Sequence, residues 1–250
     1  MAFRIVDASN HLRFPDTLGT NYTAYSIGGW YQLSNFGWSG TNVLQYCWTL
    51  TNSAGTTGSE NAISLYIYRS SATQYAIAFD DYLPSGGALL YTGTWDDAYH
   101  NQWWHIMAVR AVDNPKRRIY VNGNLVSSQN NSEAYAGTAL LYIYPGVMHR
   151  RLTRGYPFLG DMFDFRAYNR TLAADEVAEI AARKGVDSIL DDALYLRCGI
   201  KDGYAGSAFS DACKDHSIYK SDGTVVGSPL IAADPYSTVK PPVIRLPITV

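Results

Sequence analysis

Apolar and polar residues alternate along most of this chain, and clusters of turn residues separate the alternating stretches. Between residues 63 and 68 the aliphatic residues share one face and the hydroxyl-bearing residues the other, namely Ile63, Leu65 and Ile67 against Ser64, Tyr66 and Tyr68. A period of two residues indicates a β-strand with one buried face. Similar segments recur between residues 3 and 168, so the pattern predicts an antiparallel, all-β fold.

Two pairs of residues within these segments predict local backbone structure. Asn122 and Gly123 separate two alternating segments, and both tolerate the positive φ that the central residues of a type I′ turn require. They predict a tight β-hairpin. Gly28 and Gly29 lie inside "AYSIGGWYQL" and indicate a bulge or the close approach of a neighbouring strand.

The period changes once, over residues 173–184, where it predicts a helix. Its apolar stripe has the spacing i, i+3, i+4 and consists of Val177, Ile180 and Ala181. Acidic residues near the start and basic residues near the end suit the helix dipole, and Gly185 is a natural stop. Of the two candidate caps, Thr171 offers better chemistry than Ala173.

Composition narrows the classes of function. The chain has 250 residues, of which 47% are hydrophobic, so it can bury a substantial core. A formal net charge of -2 gives no electrostatic reason to expect binding to nucleic acid or to an anionic membrane. Neither a signal peptide nor an apolar stretch long enough for membrane insertion is recognised, so we expect synthesis in a cytoplasm.

The cysteines are Cys47, Cys198 and Cys213. An odd number without a signal peptide favours reduced thiols. A Cys198–Cys213 bridge stays open as the alternative.

Three segments, in this order, resemble a known family: "NQWWHIMAVR", "RRIYVNGNLV" and "GDMFDFRAYNRTLAADEVAEI". They are similar to the pattern of laminin-G-like, concanavalin A-like jelly-roll domains. The matching positions are Trp104, His105, Tyr120, Val121, Asn122, Gly123, Gly160, Asp164, Arg166, Tyr168, Asn169, Arg170, Leu172 and Glu176, with Trp30 in an earlier strand. The resemblance covers roughly residues 1–185.

The resemblance implies a two-sheet antiparallel jelly-roll sandwich, with the helix covering an open end of the sandwich. We expect one domain over residues 1–232, in which strands within 193–232, beginning with "DALYLRCG", complete or flank the sheets. Residues 233–250 are predicted to form an extended C-terminal arm, because prolines such as Pro241 and Pro242 favour a polyproline-like path.

Catalytic chemistry is not predicted. Glycosidases of this fold need paired carboxylates on one face of a strand. Asp161 and Asp164 are the nearest candidates, but their odd spacing puts them on opposite faces of a regular strand. His105 is expected to pack or to bond the backbone. The other histidines lack the spacing of zinc ligands.

The best ligand hypothesis is the loop at residues 91–104. It combines aromatic faces with carboxylate and imidazole groups that suit sugar binding, at Trp95, Asp97, Tyr99 and His100. The alternative is that the aromatics anchor the loop to the core. No cofactor is predicted. Calcium is a weak option at Asp80-Asp81 and Asp96-Asp97, against the alternative of solvated turns.

A second polar segment, "MHRRLTRGYP", brings together His149, Arg150, Arg151 and Arg154. Such a cluster fits a carboxylate-bearing partner or an anionic glycan. A solvated loop is the alternative.

These observations give a leading hypothesis and two alternatives. The first is a non-enzymatic structural or adhesion protein of a larger assembly, such as a phage decoration, tail or fibre protein, which would form homo-oligomers and place it in a virion. Its arm would dock, on its own domain or on a neighbour, through Pro241, Pro242, Ile244 and Leu246. The second is a free carbohydrate-binding lectin, and the more remote third is a glycoside hydrolase.

Overall fold

The fold was analysed in a computed structural model. It describes residues 2–4, 11–15, 22–33, 44–51, 62–80, 88–94, 99, 101–130, 140, 142–146, 148–150, 153–155, 158, 160–182, 193–198, 224–226 and 230–232. Within these ranges there are seventeen strands and one helix. They are β1 (Ala2–Arg4), β2 (His11–Pro15), β3 (Tyr25–Leu33), β4 (Leu44–Thr51), β5 (Ala62–Ser71), β6 (Gln74–Asp80), β7 (Leu89–Thr94), β8 (Trp103–Arg110), β9 (Arg117–Val121), β10 (Asn124–Gln129), β11 (Tyr142–Pro145), β12 (Met148–Arg150), β13 (Thr153–Gly155), β14 (Gly160–Tyr168), α1 (Ala174–Ala182), β15 (Leu194–Cys198), β16 (Thr224–Val226) and β17 (Leu230–Ala232).

Two antiparallel sheets form the sandwich. The eight-stranded sheet has the order β10-β9-β8-β3-β14-β1-β17, with β15 also paired to β14. The seven-stranded sheet has the order β16-β2-β11-β4-β5-β6-β7, and β12 and β13 form a separate hairpin. The predicted all-β jelly-roll sandwich is confirmed.

The main core lies between the two sheets and is built by alternation. Ile63, Leu65 and Ile67 are fully buried in it, as the period of two predicted. Trp48 of β4 and Trp104 of β8 fill its centre from opposite sheets. Cys47 joins the same cluster, and burial raises the pKa of its thiol well above the ordinary value, so the thiol stays protonated and unreactive.

The predicted hairpin is present between β9 and β10. Asn122 has φ 49° and Gly123 has φ 81°, both in the left-handed region. The predicted close approach at Gly28 and Gly29 is also present, because a Cβ on Gly28 would overlap the backbone of β8 and one on Gly29 would lie 3.0 Å from the Cα of Phe165. Strand β3 can therefore sit tightly between β8 and β14.

The helix begins one residue later than expected, at Ala174, and Thr171 is not its cap. The Thr171 hydroxyl instead donates to the carbonyl oxygen of Arg110, 2.8 Å away. The cap position is Ala173, whose backbone N–H donates to Glu176 Oε2 at 2.7 Å. Half of a capping box thus forms from the Glu176 side alone. The end of the prediction, including Gly185, lies outside the described residues.

The position of the helix differs from the expectation that it closes an open end of the sandwich. Val177 and Ile180 are buried, as predicted, but they pack on the outer face of the eight-stranded sheet. The small second core there consists of Met107, Val109, Tyr120, Tyr168, Leu172, Val177, Ile180 and Leu194. Met107 and Val109 of β8 and Tyr120 of β9 alternate with residues of the main core. The outer face of the sheet therefore carries a second apolar patch, which the helix covers.

The C-terminal part contributes to both sheets. The predicted strand in "DALYLRCG" is β15, which pairs with β14. Further along, β16 pairs with β2, and β17 pairs with β1. Cys198 is buried, while Cys213 and the arm at 233–250 lie outside the described residues. In the described part of the chain, α1 does not have the length and apolarity that crossing a membrane requires.

Candidate functional site

Five tyrosines lie on the outer side of the seven-stranded sheet. Leu65, Ile67 and Ile143 point into the core, so the residues that alternate with them on β5 and β11 point outward. Tyr46 of β4 stands directly opposite Tyr66 and joins them. We call this surface the tyrosine face, and its aromatic members are Tyr46, Tyr66, Tyr68, Tyr142 and Tyr144.

The rings form two groups. The ring centroids of Tyr46 and Tyr66 are 4.9 Å apart with planes inclined by 32°, and those of Tyr66 and Tyr68 are 6.1 Å apart with planes inclined by 35°. On β11, the Tyr142 and Tyr144 centroids are 6.2 Å apart at 63°. Tyr66, Tyr68 and Tyr142 are half-buried, so parts of their rings remain open to solvent.

Small residues border the first group. Ala78 lies opposite Tyr66 and Ala76 lies opposite Tyr68, and both alanines are fully buried. Leu90 of β7, the next strand, continues the row beyond Ala78 and is 47% exposed. Because alanine side chains are short, the tyrosine rings stand higher than this part of the sheet, and the open parts of Tyr66 and Tyr68 form its accessible surface.

A polar row crosses the same face from β11 to β6. The residues lie opposite one another in the order Tyr144, Thr49, Ser64 and Asp80. Thr49 is 1% exposed, and within the described part of the protein its hydroxyl makes no hydrogen bond. A buried hydroxyl without a partner is costly to stability, and its burial also keeps it out of reach of a ligand on this face.

A cation lies on β2, the strand next to β11 in this sheet. Leu12 and Phe14 of β2 are fully buried, which directs the intervening Arg13 outward. Its guanidinium carbon lies 4.9 Å from the centroid of the Tyr142 ring, within the range of a cation–π interaction.

The loop predicted as the ligand site can be located only in part. Tyr99 packs against the main core, with its ring centroid 5.3 Å from that of Trp104 in an edge-to-face contact. For Tyr99 the structure thus supports the anchoring role. Trp95, Asp97 and His100 lie outside the described residues, so their assignment to a ligand site stays a prediction. The chain enters this loop from Thr94, which lies opposite Gln74 at the end of the sheet nearest Tyr68.

The other polar segments are placed by their backbone. The predicted cationic loop contains the hairpin β12–β13, in which His149 lies opposite Arg154. This hairpin runs beside β4. Arg151 and the docking residues Pro241, Pro242, Ile244 and Leu246 lie outside the described residues.

The four aspartates predicted as weak candidates for calcium binding are only partly described. Asp80 is described and half-buried on the tyrosine face, whereas Asp81, Asp96 and Asp97 are not described. Among the described residues no three His, Cys, Asp or Glu side chains come together as metal ligands.

The outer face of the eight-stranded sheet carries a buried ionic cluster. Asp164 accepts hydrogen bonds from Arg166 at 2.6 and 3.0 Å and from Arg197 at 3.0 Å. Burial opposes ionisation of Asp164, but the two guanidinium groups outweigh it and hold the pKa of this carboxyl below its ordinary value. Asp164 is therefore a permanent anion.

The prediction that Asp161 and Asp164 face opposite sides is wrong, because β14 is not regular. The pairing with β3 shifts between Phe163 and Arg166, and Asp164 has φ 46°. Met162 and Phe165 both point into the core, so Asp161 and Asp164 both lie on the outer face. Asp164 is nevertheless unsuited to the general-acid role of a glycosidase, since its proton is lost at low pH.

Comparison with known proteins places this sandwich in a family. A model of the concanavalin A-like lectin/glucanases superfamily, of laminin G type, matches residues 6–178, which is more than half of the chain. The chain belongs to this superfamily. The matched residues include most of both sheets and the first turn of α1. No curated protein matches the sequence.

Several solved structures share the fold. A heptameric pentraxin from Limulus polyphemus superposes with a TM-score of 0.56 at 12% identity, covering 91% of this chain and 94% of its own. A putative carbohydrate-binding protein from Bacteroides ovatus gives a TM-score of 0.57 at 14% identity, covering 92% and 60%. The carbohydrate-binding module of a Ruminococcus gnavus sialidase, bound to sialyllactose, gives 0.53 at 17%, covering 72% and 95%.

Proposed function

We propose that this protein is a non-catalytic carbohydrate-binding domain and that its glycan lies on the tyrosine face. The observation that carries the proposal is the outward row of Tyr46, Tyr66 and Tyr68 beside Ala76 and Ala78. Aromatic rings bind the C–H faces of sugars, and the rings of Tyr66 and Tyr68 are partly open to solvent. Asp80, which is half-buried on the same face, supplies a polar group beside them.

The similar structures support the same class of function. Two of them are described as a putative carbohydrate-binding protein and as a carbohydrate-binding module with a bound sialyllactose. At 12–17% identity they share the fold with this chain, and the tyrosine face is what the proposal adds.

The test is a glycan array followed by titration of the best ligand, with and without calcium. We expect Tyr66→Ala to weaken binding about tenfold, and Tyr66→Phe to bind nearly as well as the wild type, because ring contact is retained. Circular dichroism and the thermal midpoint check that both variants fold. If the wild type binds no glycan, the function is wrong; if Tyr66→Ala binds normally, the site is elsewhere.

The loop at 91–104 is the natural extension of this site, because it begins where β7 leaves the sheet near Tyr68. The variant Trp95→Ala tests whether the ligand binds on the loop alone or on one site that includes both the loop and the tyrosine face. A loss confined to Trp95→Ala would place the ligand on the loop with Asp97 and His100, and a loss in both variants would indicate one continuous site.

An assembly role is a finer hypothesis about the whole protein. We propose that the domain serves in a homo-oligomeric, virion-type structure, in which the arm at 233–250 contacts a neighbouring copy through Pro241, Pro242, Ile244 and Leu246. Deleting residues 233–250 should then lower the copy number in sedimentation analysis while glycan binding per chain is unchanged. An unchanged copy number would argue against a role of the arm in assembly.

A further inference from the structure

We infer that the tyrosine face takes an oligosaccharide bearing a carboxylate, and that Arg13 binds this carboxylate. The inference rests on the proposed function and adds the chemical class of the ligand. It is carried by the position of Arg13 beside Tyr142, by the charge surroundings of Arg13, and by its distance from the partly exposed ring of Tyr66.

Arg13 carries a charge that the described part of the protein does not neutralise. Its contact is with the Tyr142 ring, and no described carboxylate pairs with it. Three other arginines do pair with carboxylates: Arg166 and Arg197 share Asp164, and Arg170 binds Glu176. The half-buried guanidinium of Arg13 is held against an aromatic ring and keeps donors in the geometry that binds a carboxylate through two parallel hydrogen bonds.

The register fixes the direction of the ligand. Phe14 lies opposite Ile143, so Arg13 comes level with Tyr144, at the start of the row that continues through Thr49 and Ser64. The carboxylate therefore lies at Arg13 on β2, and the neutral sugar units extend toward Tyr66, whose ring is partly open to solvent.

The size of the ligand follows from the strand spacing. Tyr66 on β5 is three strands away from Arg13 on β2. With neighbouring strands ~4.8 Å apart, this is ~14 Å, which is longer than one sugar unit. An acidic oligosaccharide is long enough to reach both ends at once, with its carboxylate at Arg13 and a neutral unit at Tyr66.

A second feature favours an anionic ligand. The hairpin β12–β13 runs beside β4 and contains His149, Arg150 and Arg154. The backbone thus places three basic residues on the hairpin next to β4, a composition that suits an anionic ligand.

The test uses an array in which uronic-acid oligosaccharides are printed beside their carboxyl-reduced, neutral counterparts. We expect the acidic member of the best pair to bind about tenfold more tightly than the neutral one. Arg13→Gln should abolish this preference, so that the acidic and neutral members bind equally, and Arg13→Lys should retain part of it. Arg118→Gln, a half-buried arginine on the other sheet, is the matched control and should keep the preference.

The outcomes separate the two proposals. Equal binding of acidic and neutral members by the wild type, or a preference that survives Arg13→Gln, overturns the inference but leaves carbohydrate binding standing. Failure to bind any glycan overturns the proposed function itself. If Arg13→Gln does not fold, salt titration of the wild type decides: binding of the acidic member must weaken with added salt while binding of the neutral member does not.

Discussion

His105 has an unusual environment for a titratable residue. Its side chain is fully buried, its ring centroid lies 5.4 Å from that of Trp30, and neither ring nitrogen hydrogen-bonds to another atom of the described part. The pKa of His105 is lowered to about 3, mainly by burial and to a smaller extent by the charge of Arg166, while the charge of Asp164 opposes the shift. The folded protein therefore keeps this imidazole neutral under conditions in which an unfolded chain protonates it.

This environment predicts acid-sensitive stability. Because the folded pKa lies below the ordinary value of 6.5, stability is complete above pH 6.5 and is lost as the pH falls toward 3. Between pH 7 and pH 5 the loss from this residue is ~2 kcal/mol. In His105→Phe that loss disappears, so urea unfolding should show the variant gaining ~2 kcal/mol on the wild type between the two pH values.

Met107→Leu is the control, since Met107 is a buried, non-titrating residue on the same strand and the same face. Its free energy of unfolding relative to the wild type should not change with pH. A His105→Phe difference that stays constant from pH 7 to pH 5 would contradict the prediction.

At this scale the sequence predicted the role of His105 but not the orientation of Asp164. His105 lies in a regular alternating strand, β8, and both faces of that strand are buried. A packing role could therefore be predicted without knowing which face the side chain takes. Asp164 sits at a bulge with positive φ, and nothing in "GDMFDF" shows where an extra residue enters the strand. Both aspartates consequently lie on one face, contrary to the expectation from spacing.

At the scale of elements, the β9–β10 hairpin and α1 depend on each other. A Cβ added at Gly123 would lie 3.0 Å from the Cα of Ala178 and 3.2 Å from the Cβ of Ala181. Gly123 therefore serves both the turn, through φ 81°, and the close approach of the helix. The helix was predictable from its apolar stripe, but its location was not, since the stripe does not say which surface it covers.

We expect Gly123→Ala to destabilise the protein by ~2 kcal/mol, since a left-handed alanine and a crowded helix contact both add strain. A double-mutant cycle with Ala181→Gly, which removes the Cβ at 3.2 Å, separates the two causes. Relieving that contact should recover part of the loss, so Gly123→Ala should cost less when residue 181 is also changed, whereas Ala178→Gly, which keeps the Cα at 3.0 Å, should recover little. Equal costs in the wild-type and Ala181→Gly backgrounds, measured by urea unfolding, would show that the turn alone requires the glycine.

At the scale of the molecule, the candidate site arises from segments far apart in sequence. Alternation placed Tyr66 and Tyr68 outward, and the same period is visible at Tyr142 and Tyr144. Yet Tyr46 precedes an irregularity in the β4–β5 pairing, and only the strand order brings β4, β5 and β11 together. Sequence reasoning therefore favoured the aromatic loop, whose residues are neighbours in the chain. It missed the tyrosine face, whose residues come together only through the pairing of strands.

The last prediction concerns the C-terminal strands and how they close the edges of the sandwich. β16 and β17 are the outermost strands of the seven- and eight-stranded sheets, respectively, and cover the edges of β2 and β1. A chain ending at residue 232 keeps both strands and should unfold within ~0.5 kcal/mol of the full chain. A chain ending at residue 223 loses both. Each lost strand removes several backbone hydrogen bonds, worth ~1 kcal/mol each, and exposes an edge that pairs with other chains. Urea unfolding and light scattering should show lower stability and aggregation for the shorter chain alone; equal behaviour of the two truncations would mean that these strands do not close the sandwich.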